Sequence, residues 1–414
     1  MLSPSGEDWR AQLWLSETAT RGESGMQSDE SLRDELLAEV EGMGPILTEH
    51  APQSEKLGRL DEPTVEALRK TRLLRFACPR ELGGYEADPV TTMEILEAAA
   101  RIDGSAGWTL GILALTSAMA GGFLPLKTAQ RIFAKGVPPM AGMIAPKGKA
   151  EPVDGGYRVT GRWAFGSGIH HADWVIAGAF LPGQPGPRGA GIRMVLLPRE
   201  QVVIHDNWQV AGLKASGSCD YSIENVFVPD EMTFSLMDMI LGNAVTGGAA
   251  LRLGIPAFVT PFHMAIALGI ARRALDEIAE QAVEKGRGSP PSPLPTHPHF
   301  QFALGKAELQ LASARALAFQ VLSSVWTEAR AGRVPPEPMQ AEARAAAVYV
   351  TEVAQRVTTV AFQSAGGGAL FDINPLQRCF RDVHAAGQHF VVSQSAYRAL
   401  GQFKLAQPDA NPML

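Results

Sequence analysis

The sequence predicts an α+β protein that is mostly α: a helical N-terminal domain, a small central antiparallel β domain and a C-terminal four-helix bundle. Three observations carry this. Helical periodicity dominates residues 28 to about 135. Short β-rich runs broken by Gly, Pro and Asp follow Pro138. Long helical stretches then follow Pro229. A chain of 414 residues, 46% hydrophobic and 19% charged, can bury a sizeable core.

The elements follow in order. Residues 1–27 carry early acids and no apolar core segment, which excludes a secretory signal and reads as a flexible tail. Ser31-x-x-Asp34 opens the first helix, with Leu32, Leu36, Val40 and Met43 on one face. Asp61-Glu62-Pro63 opens the second. Pro89 starts a third, with Ile95, Leu96, Ala99 and Ile102 on one face. The uncharged run Gly104–Leu126 is long enough to cross a bilayer, but its Gly, Ala, Ser and Thr content and missing basic flank predict a core helix instead. The helical domain is placed at 28–137.

The β domain is placed at 138–232, with strands over Tyr157–Thr160, Trp174–Ala179, Ile192–Leu197, Val202–Ile204 and Tyr221–Val228. The bundle is placed at 233–414, with helices over Phe262–Glu284, His299–Ala331, Pro338–Ala365 and Leu376–Leu405. Breaks fall at Lys285–Pro298 and Gly332–Pro336.

Composition narrows function. A net charge of −6 gives no basic excess for nucleic acid. Cys78, Cys219 and Cys379 share no metal-ligand spacing and read as buried thiols of a reducing, cytoplasmic compartment. His384 and His389 are five apart in the numbering, not the four of a helical metal pair, so no metal is expected. The adjacent His170 and His171 point opposite ways if extended, so at most one lines a site.

The order helices, sheet, bundle, together with four segments, resembles the acyl-CoA dehydrogenase superfamily from about Ser31 to Gly401. The segments are Arg80–Pro89, Gly155–Ala179, Trp208–Pro229 and Gln363–Asp382. Within it, Gly161–Gly168 (GRWAFGSG) and Phe380–His389 (FRDVHAAGQH) are similar to the oxygenase components of two-component flavin-dependent monooxygenases. That resemblance implies a homo-oligomer, a tetramer, taking diffusible reduced FMN or FAD from a separate NAD(P)H-dependent flavin reductase. It implies O₂ as co-substrate, a flavin C4a-hydroperoxide, and oxygen transfer to a small aromatic or otherwise electron-rich molecule.

A negative observation agrees. Acyl-CoA dehydrogenases need a carboxylate to remove the substrate α-proton. The resemblance places it just after the C-terminal Arg-Asp pair or early in the first bundle helix. No Asp or Glu lies between Asp382 and Asp409, nor between Asp238 and Asp276. The alternatives are a dehydrogenase or oxidase with a displaced base, and a catalytically silent scaffold of the same fold.

The resemblance also proposes residues. Trp163, Phe165 and Ser167 alternate along a strand, so all three are expected on one face, the first two walling the flavin ring and Ser167 bonding near N5. His384, directly after Arg381-Asp382, is the expected polar catalyst, because imidazole exchanges protons near neutrality. Ser218 borders the flavin. Arg287, Gln363, Gly366 and Gly367 are expected at its outer half. There Gly288-Ser289-Pro290 departs from the family pattern and leaves FMN open beside FAD. Trp108 and Arg252 complete the expected substrate pocket, Arg252 as a buried cation wanting an anionic partner.

Overall fold

The computed structural model describes residues 26–183, 191–284, 286–287 and 292–413. Most of the proposed tail and the centre of the Gly/Pro segment 181–191 lie outside them, as does the side chain of Arg287.

The N-terminal helices are α1 Met26–Leu57, α2 Glu62–Lys70, α3 Pro89–Ile102, α4 Gly104–Phe123 and α5 Leu126–Phe133. The first begins upstream of the expected Ser31 start. The next three are capped as their sequences require. Asp61 accepts from Thr64 N–H, Asp88 from Val90 and Thr91 N–H, and Asp103 from Ala106 N–H. Helix α4 is buried along nearly its whole length, which explains its uncharged sequence. Its small residues set how closely it packs. A Cβ on Gly107 would meet Ala100 N at 2.7 Å, and one on Gly111 would meet Phe262 Cδ2 at 2.4 Å. Trp108 lies between these two contact points.

The sheet comprises β1 Met140–Val153, β2 Gly156–Gly166, β3 Trp174–Phe180, β4 Ile192–Pro198, β5 Val203–His205, β6 Cys219–Pro229 and β7 Thr233–Ser235, in the order β5-β6-β2-β1-β3-β4-β7. Strand β1 was not legible: its Lys, Pro and Gly content hides it, yet it is the long central strand. One pair departs from the expected antiparallel pattern. Strands β1 and β3 run parallel, with a register shift between Met143 and Gly148.

After the short helix α6 Leu236–Ile240 come α7 Thr260–Glu284, α8 Pro298–Arg330, α9 Glu337–Ala365, α10 Pro375–Ala386 and α11 Ser395–Lys404, with a two-stranded ribbon, β8 Gly286–Arg287 and β9 Ser292–Pro293, between α7 and α8. The expected fourth bundle helix is thus two helices. Gly387 ends α10, and a 3-10 turn at Phe390–Val392 follows before α11.

Candidate active site

The sheet end nearest the helices is built by a bulge. Between Trp163 and Gly166 the β2–β6 register shifts, and Phe165 sits at φ +64°. Alternation fails there, which corrects the expectation that Trp163, Phe165 and Ser167 share a face. Trp163 is fully buried, stacked on Tyr221 at 5.5 Å, and its indole N–H donates to Gly178 O at 2.8 Å. It supports the sheet from within. Phe165 turns outward, 60% exposed, edge-on to Trp208 at 6.2 Å.

Ser167, buried beyond the bulge, joins a hydrogen-bonded chain. Trp108 Nε1–H donates to Ser167 Oγ at 3.0 Å, Ser167 Oγ and Ser218 Oγ lie 2.7 Å apart, and Ser218 and Ser216 Oγ another 2.7 Å. The turn carrying both latter serines is held at Leu213. Its N–H donates to Asp382 Oδ1 at 2.6 Å, and its carbonyl accepts from Trp208 Nε1–H at 3.1 Å. Asp382 is therefore a backbone anchor. Burial pushes its carboxyl up to about 7, helped by the charge of Asp103.

Two histidines stand against Trp108. His263 on α7 lies 5.8 Å from the indole and His389 lies 5.9 Å from it, ring centre to ring centre. The two imidazoles are 4.3 Å apart at 34°. Phe262 and Phe390 close the cluster, at 4.8 Å from Trp108 and His389 respectively. Burial holds both imidazoles in the neutral form. It lowers His389 to about 4 and, with the neighbouring His389, His263 well below its ordinary value. Val391 N–H donates to His389 Nδ1 at 3.3 Å, which assigns the proton of the neutral ring to Nε2.

These histidines occupy the two segments in which the sequence lacks a carboxylate. His263 lies between Asp238 and Asp276, and His389 between Asp382 and Asp409. Among the described residues, no carboxylate hydrogen-bonds to Trp108, Ser167, Ser218, His263 or His389. Sequence reasoning missed this pair. A signal is present in the sequence, because His263 lies in one acid-free window and His384 and His389 in the other.

Other expected residues lie elsewhere. His384 packs on Phe380 at 4.6 Å and meets Thr359 Oγ1 at 3.4 Å on α9. Its turn of α10 faces α9, and no hydrogen bond or ring contact among the described residues joins His384 to Trp108, whereas His389 lies against it. Arg252 is exposed at the end of a 3-10 turn, not the expected buried cation. Gln363, Gly366 and Gly367 are exposed at the end of α9, with Gly366 at φ +64°. No hydrogen bond or ring contact among the described residues joins them to the Trp108 cluster. His171 is half-buried in a 3-10 turn, not a strand, and desolvation lowers it to about 4. Two small cavities enclosed by the N-terminal helices are lined chiefly by aliphatic groups such as Leu60 and Leu68, apart from this cluster.

The residues present fit a flavin. A flat tricyclic ring needs an exposed apolar platform beside fixed hydroxyl and N–H groups. Phe165 with Trp208 supplies the first, and the serine chain with the imidazole pair supplies the second.

Residues 262–394 match the family described as acyl-CoA dehydrogenase, C-terminal domain. The chain is 30% identical over 349 residues to indole-3-acetate monooxygenase of Pseudomonas putida, spanning 83% of this chain and 86% of that protein. It is 28% identical over 385 residues to the flavin-dependent monooxygenase oxygenase subunit HsaA of Rhodococcus jostii, spanning 91% of this chain and 99% of that one. The 3-HSA hydroxylase structure from Rhodococcus sp. RHA1 superposes with a TM-score of 0.84 at 26% identity, covering 92% of this chain and 99% of that one. The chain belongs to the flavin-dependent monooxygenase oxygenase components built on the acyl-CoA dehydrogenase fold.

Proposed function

We propose that this protein inserts one oxygen atom from O₂ into a small, electron-rich aromatic molecule, using reduced FMN or FAD delivered by a separate NAD(P)H-dependent reductase. One observation carries the reading: the Trp108–Ser167–Ser218 hydrogen-bonded chain lies against a neutral imidazole pair with no carboxylate bonded to it. A base for α-proton removal from an acyl thioester is missing from this arrangement.

Reduced flavin, when bound, supplies the oxygen-activating chemistry. The protein's own groups have separate tasks. Phe165 and Trp208 offer the platform for the ring. Ser167 and Ser218 hold a hydroxyl pair at fixed separation, oriented by the indole N–H. His389, with Nδ1 occupied by Val391 N–H, presents its Nε2 proton as a hydrogen-bond donor. His263, neutral and 4.3 Å from the His389 ring, backs that imidazole and fixes its position. Trp108, Phe262 and Phe390 make the surround apolar, which excludes water and suits an aromatic ring. Related oxygenases are named for indole-3-acetate and resorcinol, both electron-rich aromatics.

Exposed apolar groups after α9 support a homo-oligomer, with the flavin's outer half held at Gln363, Gly366 and Gly367 and by Arg287 of a neighbouring subunit. Leu370, Phe371 and Ile373 are 73%, 69% and 92% exposed, more apolar surface than one short segment of a monomer keeps in water. A cytoplasmic tetramer fits this surface and the three unpaired cysteines.

The test is single turnover. Protein is loaded anaerobically with reduced FMN or FAD, mixed with O₂ and a phenol or indole, and assayed for oxygenated product and hydrogen peroxide. Product in a stoichiometric share of the flavin oxidised supports the reading. Peroxide alone with every aromatic tried, together with bleaching of oxidised flavin by an acyl thioester, would establish the dehydrogenase alternative instead.

A further inference from the structure

A second cluster lies outside the chemistry just described. His170 Nε2, Asp206 Oδ1 and Cys219 Sγ all lie within 4.8 Å of one another. They come from three separate pieces of chain: the 3-10 turn Ile169–His171, the loop after β5, and the first residue of β6.

We propose that His170, Asp206 and Cys219 form a three-ligand site for a divalent cation, with Zn²⁺ the best fit, completed by water. The ligand chemistry is the first argument. A thiolate, an imidazole and a carboxylate are the donor set of zinc sites that keep one open position. The distances are the second. Tetrahedral bonds of ordinary zinc length require a sulfur–nitrogen edge of about 3.6 Å and a nitrogen–oxygen edge of about 3.4 Å. The corresponding separations are 3.5 Å from Cys219 Sγ to His170 Nε2 and 3.3 Å from His170 Nε2 to Asp206 Oδ1; the third edge, Cys219 Sγ to Asp206 Oδ1, lies within 4.8 Å, and rotation of the exposed Asp206 side chain sets it on binding.

The surroundings hold the ligands ready. Burial raises the Cys219 thiol, and the backbone N–H groups of Trp208 and Asn207 at its sulfur offset part of that, so a bound cation would supply the charge that ionises it. The Asp206 loop is pinned by β5–β6 pairing at His205 and Asp220, and by Asp220 N–H donating to Asn207 Oδ1 at 2.9 Å. Cys219 is buried, His170 is half-buried and Asp206 is exposed, so the site opens to water on the carboxylate side. Burial keeps the His170 imidazole neutral, with its lone pair available. The cations facing it, Arg59 and Arg199, oppose a metal charge, but thiolate and carboxylate together offset two units and Arg59 is solvated.

The position gives the site a consequence. Cys219 follows Ser218 and pairs with Gly166, which precedes Ser167. A bound cation would clamp the ends of the two strands that present the hydroxyl pair.

The test uses the full chain, stripped with chelator and titrated with Zn²⁺ by calorimetry and with Co²⁺ by absorption. One equivalent per chain is expected, with a thiolate-to-cobalt band in the near ultraviolet. All three cysteines are buried, so loss of the band in the Cys219 variant is what assigns it. Cys219→Ser should weaken Zn²⁺ binding about a hundredfold and abolish the band. Asp206→Asn, at an exposed position that does not threaten folding, should weaken binding about fivefold. No saturable binding, or binding unchanged in both variants, would overturn the site.

Discussion

Ser167→Ala is the sharpest probe of the active-site geometry. The hydroxyl accepts the Trp108 indole N–H at 3.0 Å and exchanges a hydrogen bond with Ser218 at 2.7 Å. Trp108 is 6% exposed, so water does not replace the lost acceptor. Leaving a buried N–H unpaired costs about 1–3 kcal/mol. Ser218 keeps Ser216 as a partner, so its loss is small. The variant should therefore unfold in urea with stability reduced by about 2 kcal/mol. Trp108→Phe removes the donor and leaves a hydroxyl that still has Ser218. In the double variant no unpaired N–H remains, so its loss should fall short of the two single losses added together by about 1 kcal/mol. Additivity to within about 0.3 kcal/mol would refute the hydrogen bond as an energetic feature of the fold. The same three proteins give a functional readout. If the chain orients reduced flavin, Ser167→Ala should divert most flavin oxidation to hydrogen peroxide, with affinity for the aromatic little changed. Unaltered coupling would separate the structural role from the catalytic one.

Further outcomes follow from the same geometry. His389→Gln should lower the yield of oxygenated product at least tenfold, measured by single turnover, whereas His384→Ala should leave it within about twofold. A reversed pattern would restore His384 as the catalyst. Burial depresses the folded-state value of His389 to about 4, so the unfolded chain binds the extra proton between that value and its ordinary one. Wild-type stability should consequently fall as pH drops from about 6.5 towards 4, by up to about 3 kcal/mol from this group, and His389→Gln should remove that share of the slope. Asp382 has the opposite sign. Its folded-state value is raised to about 7, so the folded chain holds the proton longer and stability falls as pH rises from about 4 to 7. Asp382→Asn keeps an acceptor for Leu213 N–H and should flatten that limb in urea unfolding at pH 5 and pH 8.

Much of the framework was legible because it is local. Asp61, Asp88 and Asp103 cap helices in the positions their sequences dictate, since a cap bonds N–H groups only two or three residues away. The uncharged run 104–123 announced a helix buried on all sides. The two acid-free windows are also readable in the sequence, and they weigh against α-proton removal by a carboxylate at either family position.

The site itself was only half readable. Strict alternation put Trp163 and Phe165 together, but a bulge depends on how β2 pairs with β6, and no single strand encodes its partner's register. Periodicity carried the last helix from Leu376 through to Leu405. The helix ends instead at Gly387, and the turn beyond it places His389 against Trp108 while His384 stays against Thr359. The sequence by itself determined the order of helices, sheet and bundle, the buried core helix, and the two windows without a carboxylate. Only the tertiary structure decided which imidazoles meet the Trp108–Ser167 chain. His263 and His389 lie on segments far apart in the chain, and their 4.3 Å tilted contact arises where α7, α4 and the turn after α10 pack together. Side-chain periodicity states which face of an element is buried; the close packing of distant faces decides what that face touches.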